Sequence, residues 1–216
     1  MGTPFAPRLD ILPPAQRRVW DELGELPEHF VLYGGTAIAL QLGHRASVDF
    51  DFFSDRSLDP DVLLPSFSFL GGAEVIQRDP DTLSCLVDRG GPVKLSFFGL
   101  PKLKRLLPPL IAPNAVRIAS LRDLAGAKAR VVQVRAEAKD YIDIDALMAH
   151  GVSLAEALAC ARAIYSDSFN PQITLKALCF FEEGTLHALP PAVRTRLVQA
   201  VARVDLDRLP DIEGLS

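Results

Sequence analysis

The segment HFVLYGGTAIALQLGHRASVDFDFF, residues 29–53, restricts the fold more than any other part of the chain. His29 to Tyr33 is a short β-forming run that ends at Gly34-Gly35. Thr36 to Leu42 then reads as a helix stopped by Gly43, and Ser47 to Phe53 alternates as a strand does. On that strand Asp49 and Asp51 project to one side, about 6.6 Å apart along the chain. Val48, Phe50 and Phe52 project to the other side, where they can be buried. Two like charges held together repel unless a cation sits between them. Mg²⁺ suits such a pair, because it takes one or two carboxylates and fills its shell with water and substrate phosphates. Gly34 and Gly35 let a phosphate approach the backbone, and the helix start behind them aims N–H groups outward. Thr36 is expected to cap that helix and offer its hydroxyl. A triphosphate on this turn, with its metal on Asp49 and Asp51, would be placed for attack on the α-phosphate. Each element alone is unspecific: a glycine pair before a helix is usually a turn, and an Asp-x-Asp strand usually faces solvent.

The rest of the chain separates into a strand-rich front and a helical back. A short helix is expected near Leu58–Leu64. Ala73–Arg78, Thr82–Val87 and Pro92–Phe98 are strand-like, and the DPD and DRGG turns between them predict an antiparallel meander. PKLKRLLPPLIAPNA, residues 101–115, is proline-broken and basic and reads as a connector and domain boundary. Beyond it, helices are expected over Leu121 to about Val134, about Ala136 to Ala149, Leu154–Tyr165, Pro171–Phe181 and Pro191 to about Val204. Ser120 is placed to cap the first, and Ser153 with Glu156 matches a capping box for the third. The expected organisation is an α/β (α+β) core over 1–115 and a helical part over 116–216.

Composition narrows the function classes. At 216 residues and 49% hydrophobic content the chain can bury a real core, and no apolar run approaches the roughly 20 residues of a membrane span. The N-terminus shows no secretory pattern, and Cys85, Cys160 and Cys179 match neither a disulfide framework nor a zinc site. A cytoplasmic protein that does not engage membranes is expected. The net charge of −4 is unevenly spread: residues 1–88 carry −8, residues 89–139 carry +9, and residues 140–216 carry −5. The basic middle points either to an anionic ligand or to ion pairs with the flanking acids. Arg45 is placed either to reach a phosphate or to pair with an aspartate. The histidines form no ligand pattern, and Ser84 and Ser96 have no histidine neighbour in sequence to suggest a hydrolase. Tyr141 fits a core position on its helix better than a base-stacking one.

The order strand, Gly-Gly, helix, Asp-x-Asp resembles the nucleotidyltransferase superfamily. More narrowly, LYGGTAIALQLGHRASVDFDFF is similar to the AbiEii/AbiGii toxin family. IASLRDLAGAKARVVQVRAEAKDYIDIDAL, residues 118–147, resembles that family's later motifs, a helical lysine followed by Lys-Asp-x-x-Asp. The resemblance implies a small mixed nucleotidyltransferase-type sheet flanked by helices, with the helical C-terminal part completing the active site. It implies transfer of a nucleoside monophosphate from an NTP to an acceptor such as RNA or tRNA, with Mg²⁺. The protein would be the toxin of a toxin–antitoxin or phage-defence pair, with a cognate antitoxin as partner. Gly34, Gly35 and Thr36 would contact phosphates, Asp49 and Asp51 would bind the metal, Lys128 would clamp the triphosphate, and Asp140 with Asp143 would support catalysis, Asp140 as base.

The residues themselves leave other readings open. Lys128, Arg135 and Lys139, spaced by seven and four, would share a helical face suited to phosphates or RNA, while Lys139 and Asp143 could equally form an i,i+4 ion pair. Many polymerase-like members of the superfamily carry a third acid on a later core strand. Here GPVKLSFFG presents Ser96 at that place, between Lys94 and Phe98 on the same face. That substitution motivates an alternative, a catalytically silent nucleotide-binding or regulatory module with the same fold. A protein-binding, antitoxin-like partner is a third reading.

Overall fold

Along Phe50–Ser54, Phe50, Phe52 and Ser54 are buried while Asp51 and Phe53 are half-buried, the period-two pattern of a strand with one face on a core. The structure, a computed structural model, describes residues 3–214. The chain packs as two units, one made of the residues up to Leu103 with Pro108–Ala119, the other of Lys104–Leu107 with the residues from Ser120 onward.

The first unit holds a mixed sheet. Its elements in chain order are β1 (Thr3–Pro4), α1 (Pro14–Glu22), β2 (Phe30–Tyr33), α2 (Gly34–Leu42), β3 (Phe50–Ser54), α3 (Pro60–Ser66), β4 (Glu74–Asp79), β5 (Thr82–Asp88), β6 (Pro92–Gly99), β7 (Leu110–Ile111) and β8 (Arg117–Ile118). Among the described residues the eight strands lie in the order β1-β7-β8-β2-β3-β6-β5-β4. The meander expected from the two turns is present, with β4, β5 and β6 antiparallel in sequence. β3 runs antiparallel to β2 and parallel to β6, so it sits in the middle of the sheet. Phe50, Phe52, Leu83, Cys85, Leu95 and Phe97 are fully buried on one face. Phe52 stacks on Phe97 at 5.5 Å, and Trp20 of α1 lies parallel to Phe50 at 6.3 Å.

Three local expectations change. α2 begins at Gly34 rather than Thr36, with Tyr33 as its N-cap residue and no side-chain cap. Gly34 opens it at φ +72°, a conformation that a Cβ disfavours. β3 begins at Phe50, so Val48 lies before it and is 48% exposed rather than buried. The proline-rich connector is partly structured: Leu110–Ile111 joins the sheet, whereas Lys104–Leu107 packs with the second unit.

The second unit is helical: α4 (Leu121–Val131), α5 (Ala138–Ala149), α6 (Leu154–Tyr165), α7 (Pro171–Ala177) and α8 (Pro191–Ala202). Ser120 caps α4 by accepting from the Asp123 amide at 3.1 Å, and Ser153 caps α6 by accepting from the Glu156 amide at 3.2 Å. The Glu156 carboxylate is engaged by Arg122 at 2.7 Å. Asp123 is buried and accepts from the Leu106 amide at 2.7 Å, which ties Lys104–Leu107 to this unit. Burial pushes the Asp123 carboxyl above its ordinary value, against the opposing effect of its bonds from Ser120 and the two backbone amides. Tyr141, Ile144, Leu158, Leu178, Leu186 and Leu197 form the centre of the apolar core. No single helix among the described residues is long and apolar enough to cross a membrane.

Candidate functional site

Within the first unit Gly34 and Asp51 meet. In the β2–β3 ladder Tyr33 pairs with Asp51, so the residue that opens α2 lies directly beside the second acid. The approach is close enough that a Cβ on Gly34 would stand 2.7 Å from Asp51 Oδ2. Only glycine combines that contact with a positive φ, so the backbone at the start of α2 is bare against the Asp51 carboxylate. A helix N-terminus is a place where free N–H groups and the helix dipole favour anions.

Thr36 does not cap α2 with its side chain. Its side chain is buried, and its hydroxyl donates to the Asp49 carbonyl and lies 2.8 Å from the Ser47 hydroxyl. The threonine on α2 thus holds the backbone of Asp49, which precedes the strand, in place relative to Asp51 within it. Asp49 is half-buried, as is Asp51. Arg45 donates to the Ala46 carbonyl at 3.0 Å.

Ser96 stands opposite Asp51 in the parallel β3–β6 ladder, and Ser84 stands opposite Ser96 in the antiparallel β5–β6 ladder. The register puts Asp51, Ser96 and Ser84 in one row. Both serines are buried, and Ser84 donates to Ser96 at 3.2 Å. Next along the same face, Phe53 stands opposite Phe98 with rings 5.4 Å apart, and Tyr33 stacks on Phe53 at 4.6 Å. Among the described residues no three His, Cys, Asp or Glu side chains come together as a metal cage. The Asp51 carboxylate beside a bare helix start suits a hard cation that draws its other ligands from water and phosphate better than it suits zinc.

Within the second unit the later motif residues form a buried charge cluster. Lys128 is 4% exposed, and Asp140 and Asp143 are fully buried. The ammonium lies 2.6 Å from Asp140 Oδ1 and 2.7 Å from Asp143 Oδ2. Arg135 grips Asp140 from the other side, Nε to Oδ2 at 2.7 Å and Nη2 to Oδ1 at 3.0 Å. Burial alone would raise the Asp140 carboxyl, but the Arg135 hydrogen bond and the Lys128 charge outweigh it and hold it below the ordinary carboxylate value. The Lys128 ammonium is thus shared between two buried carboxylates. Asp140 is therefore held in its charged form between Lys128 and Arg135.

The shared helical face of Lys128, Arg135 and Lys139 does not exist. The chain leaves the helix after Val131 and re-enters at Ala138, so Arg135 lies in the break. Lys139 pairs with Glu137 at 3.0 Å, and Asp143 takes Lys128 instead of Lys139. The basic segment is largely neutralised by acids: Arg89 pairs with Glu22, Arg117 with Glu28, Arg122 with Glu156, and Lys128, Arg135 and Lys139 with the acids just named. Of the two readings of that segment, charge balance accounts for more of it. The residues that sequence reasoning overlooked are Asp123, Ser47 and the Arg135–Asp140 grip. Spacing gave no signal for the last, because its partners belong to a loop and a helix.

The family model described as nucleotidyl transferase AbiEii toxin, type IV toxin–antitoxin system, matches residues 18–213. The chain belongs to the AbiEii nucleotidyltransferase toxin family. An uncharacterized protein of Aquifex aeolicus (strain VF5) is 32% identical over 160 residues, covering 72% of this chain and 75% of that one. Among solved structures, the Megavirus polyadenylate synthase aligns at a TM-score of 0.42 with 13% identity over 65% of this chain, which spans 30% of the synthase. Membership places this chain among the nucleotidyltransferases of a family described as toxins of type IV toxin–antitoxin systems. Both motif blocks described above lie inside the matched range.

Proposed function

We propose that this AbiEii protein transfers a nucleoside monophosphate from an NTP to a hydroxyl of an RNA acceptor, with Mg²⁺ held by Asp49 and Asp51. The acceptor hydroxyl oxygen attacks the α-phosphorus and releases its proton to solvent, the α–β phosphoanhydride bond breaks, and pyrophosphate leaves. Bound Mg²⁺ would supply charge neutralisation on the phosphate oxygens. The observation that carries the reading is the bare Gly34 backbone against the Asp51 carboxylate at the start of α2. Gly34 and Gly35 make room for phosphate there, and Thr36 fixes Asp49 through its carbonyl. Asp140 and Asp143 with Lys128 act as positioning residues that set Arg135, rather than as groups in the reaction. A cognate antitoxin is the functional partner of the toxin.

Incubation with each α-labelled NTP and total RNA in Mg²⁺ tests transfer, with label on RNA as the expected result. Calorimetry of NTP binding tests the metal pair: the Asp49→Asn, Asp51→Asn double variant should lose Mg²⁺-dependent affinity, and unchanged binding would remove the assignment. Ser96 in the row beside Asp51 favours one second reading, a silent nucleotide-binding module. Tight NTP binding without labelled product in any RNA fraction would select it.

A further inference from the structure

Lys94 stands on β6, an interior strand paired with β3 on one side and β5 on the other. Lysine is depleted in strands, and where it guards a sheet against unwanted pairing it sits on an edge. Side chains alternate along β6, so Val93, Leu95 and Phe97 are buried on one face while Lys94, Ser96 and Phe98 emerge on the other. Asp51 stands opposite Ser96 in the parallel ladder and so shares the Lys94 face. One strand spacing across and two residues along put the Lys94 Cα on the order of 8 Å from that of Asp51, within the span of a lysine stem. Lys94 is half-buried. Among the described residues its ammonium has no hydrogen bond or ion pair. Its own row runs to Leu86 and then to Glu74 on exposed β4, roughly 10 Å away across two strand spacings.

We propose that Lys94 is a catalytic cation of the transfer, its ammonium set against the α-phosphate in place of the second metal that a carboxylate at position 96 would help to hold. The inference rests on the nucleotidyl-transfer reading, with Asp49 and Asp51 as the metal pair. A half-buried ammonium without a counter-charge is costly, and a phosphate beside Asp51 supplies one. A carboxylate at position 96 would give Lys94 a partner two residues away on the same face. Ser96 brings only a hydroxyl, which already accepts from Ser84 at 3.2 Å. The charges also balance. One Mg²⁺ matches the two acids, and Lys94 is then a surplus cation for the charge that builds on the phosphoryl oxygens during attack. The ammonium stays protonated and forms no covalent bond, while the acceptor proton goes to solvent and pyrophosphate leaves. A group that answers charge developed in the transition state acts on kcat rather than on ground-state binding.

The test uses the full chain, total RNA and each α-labelled NTP in Mg²⁺. Lys94→Met keeps the apolar stem and should lower kcat on the order of 10²–10³-fold, with the NTP KM within about threefold of the parent. Lys94→Arg should restore at least about tenfold of that loss. Thermal melting checks folding, since a merely structural lysine would move Tm and leave no kcat-to-KM split. A second readout does not depend on turnover. Electron paramagnetic resonance counts the Mn²⁺ held with an NTP analogue whose α and β phosphorus atoms are bridged by methylene, which cannot transfer. We expect one Mn²⁺ per chain in the parent and in Lys94→Met, and two in Ser96→Asp. The double variant Lys94→Met, Ser96→Asp should outpace Lys94→Met with a steeper Mg²⁺ dependence. If Ser96→Asp does not fold, the Mn²⁺ count of the parent and the Lys94→Arg result decide. A Lys94→Met kcat within about threefold of the parent, against the 10²-fold loss expected, overturns the proposal. A loss confined to KM, or two Mn²⁺ in the parent complex, also overturns it. An active parent indifferent to Lys94 overturns this proposal alone, whereas a parent that transfers no NTP overturns the transfer reading and this proposal with it.

Discussion

Replacing Lys128 with methionine separates a structural cation from a substrate-binding one. The side chain is 4% exposed and touches Asp140 and Asp143 at 2.6 and 2.7 Å, so Lys128→Met keeps the volume and removes the charge from a buried cluster. Breaking a buried ion pair by deleting one partner typically costs about 3–5 kcal/mol, because the other charge stays desolvated. Arg135 still holds Asp140, which places the expected loss at the lower end of that range. For a chain of this size about 3 kcal/mol corresponds to a fall in Tm on the order of 10 °C. Differential scanning calorimetry reads it. The double variant Lys128→Met, Asp143→Asn should be less destabilised than the two single losses added together, since it removes both members of one pair. NTP affinity at a temperature where the variant is folded should change by less than threefold. A variant that melts within about 2 °C of the parent, against the order of 10 °C expected, yet binds NTP tenfold more weakly, would refute the buried-cluster argument. It would return Lys128 to the substrate.

Other expectations follow from single contacts. Gly34→Ala places a Cβ 2.7 Å from Asp51 Oδ2 at a positive φ, costing about 1–2 kcal/mol in backbone conformation alone. It should abolish labelled-NMP transfer while far-UV circular dichroism stays unchanged. Thr36→Val removes the hydroxyl from Asp49 and Ser47 and should cost about 1–2 kcal/mol in urea titrations; transfer should fall more than stability does. The Asp140 carboxyl is held below its unfolded value, so its contribution is complete above the ordinary carboxylate pKa and is lost as pH falls through the lower folded value. Stability of the parent should therefore drop on acidification below that range, and in Asp140→Asn the drop should be shallower. Ser96→Asp sets a carboxylate opposite Asp51 in a row that now ends on a Ser84 hydroxyl. Without metal it should destabilise, with the loss reversed by millimolar Mg²⁺ in thermal shift measurements.

Much of the first unit was legible because strand alternation and turn chemistry act over a few residues. Phe50, Phe52 and Asp51 announce the faces of β3, and the DPD and DRGG turns announce the meander. The helix caps at Ser120 and Ser153 were legible for the same reason. The helix start at Gly34 was not, since a glycine pair reads as a turn until the neighbouring strand shows why the backbone must be bare. The register of Asp51 with Ser96 depends on a parallel pairing between strands some forty residues apart, and no local pattern encodes which rungs meet.

Sequence by itself determined the order of the longer strands and helices, the acid pair and the glycine pair, because these follow from side-chain period and backbone permission. Tertiary structure decided what each charged group touches. Lys128 meets Asp140 and Asp143, Arg135 grips Asp140 from a break between helices, and Lys139 turns to Glu137. Charges act through distance and desolvation, and both are set by how helices pack rather than by how residues are spaced along the chain.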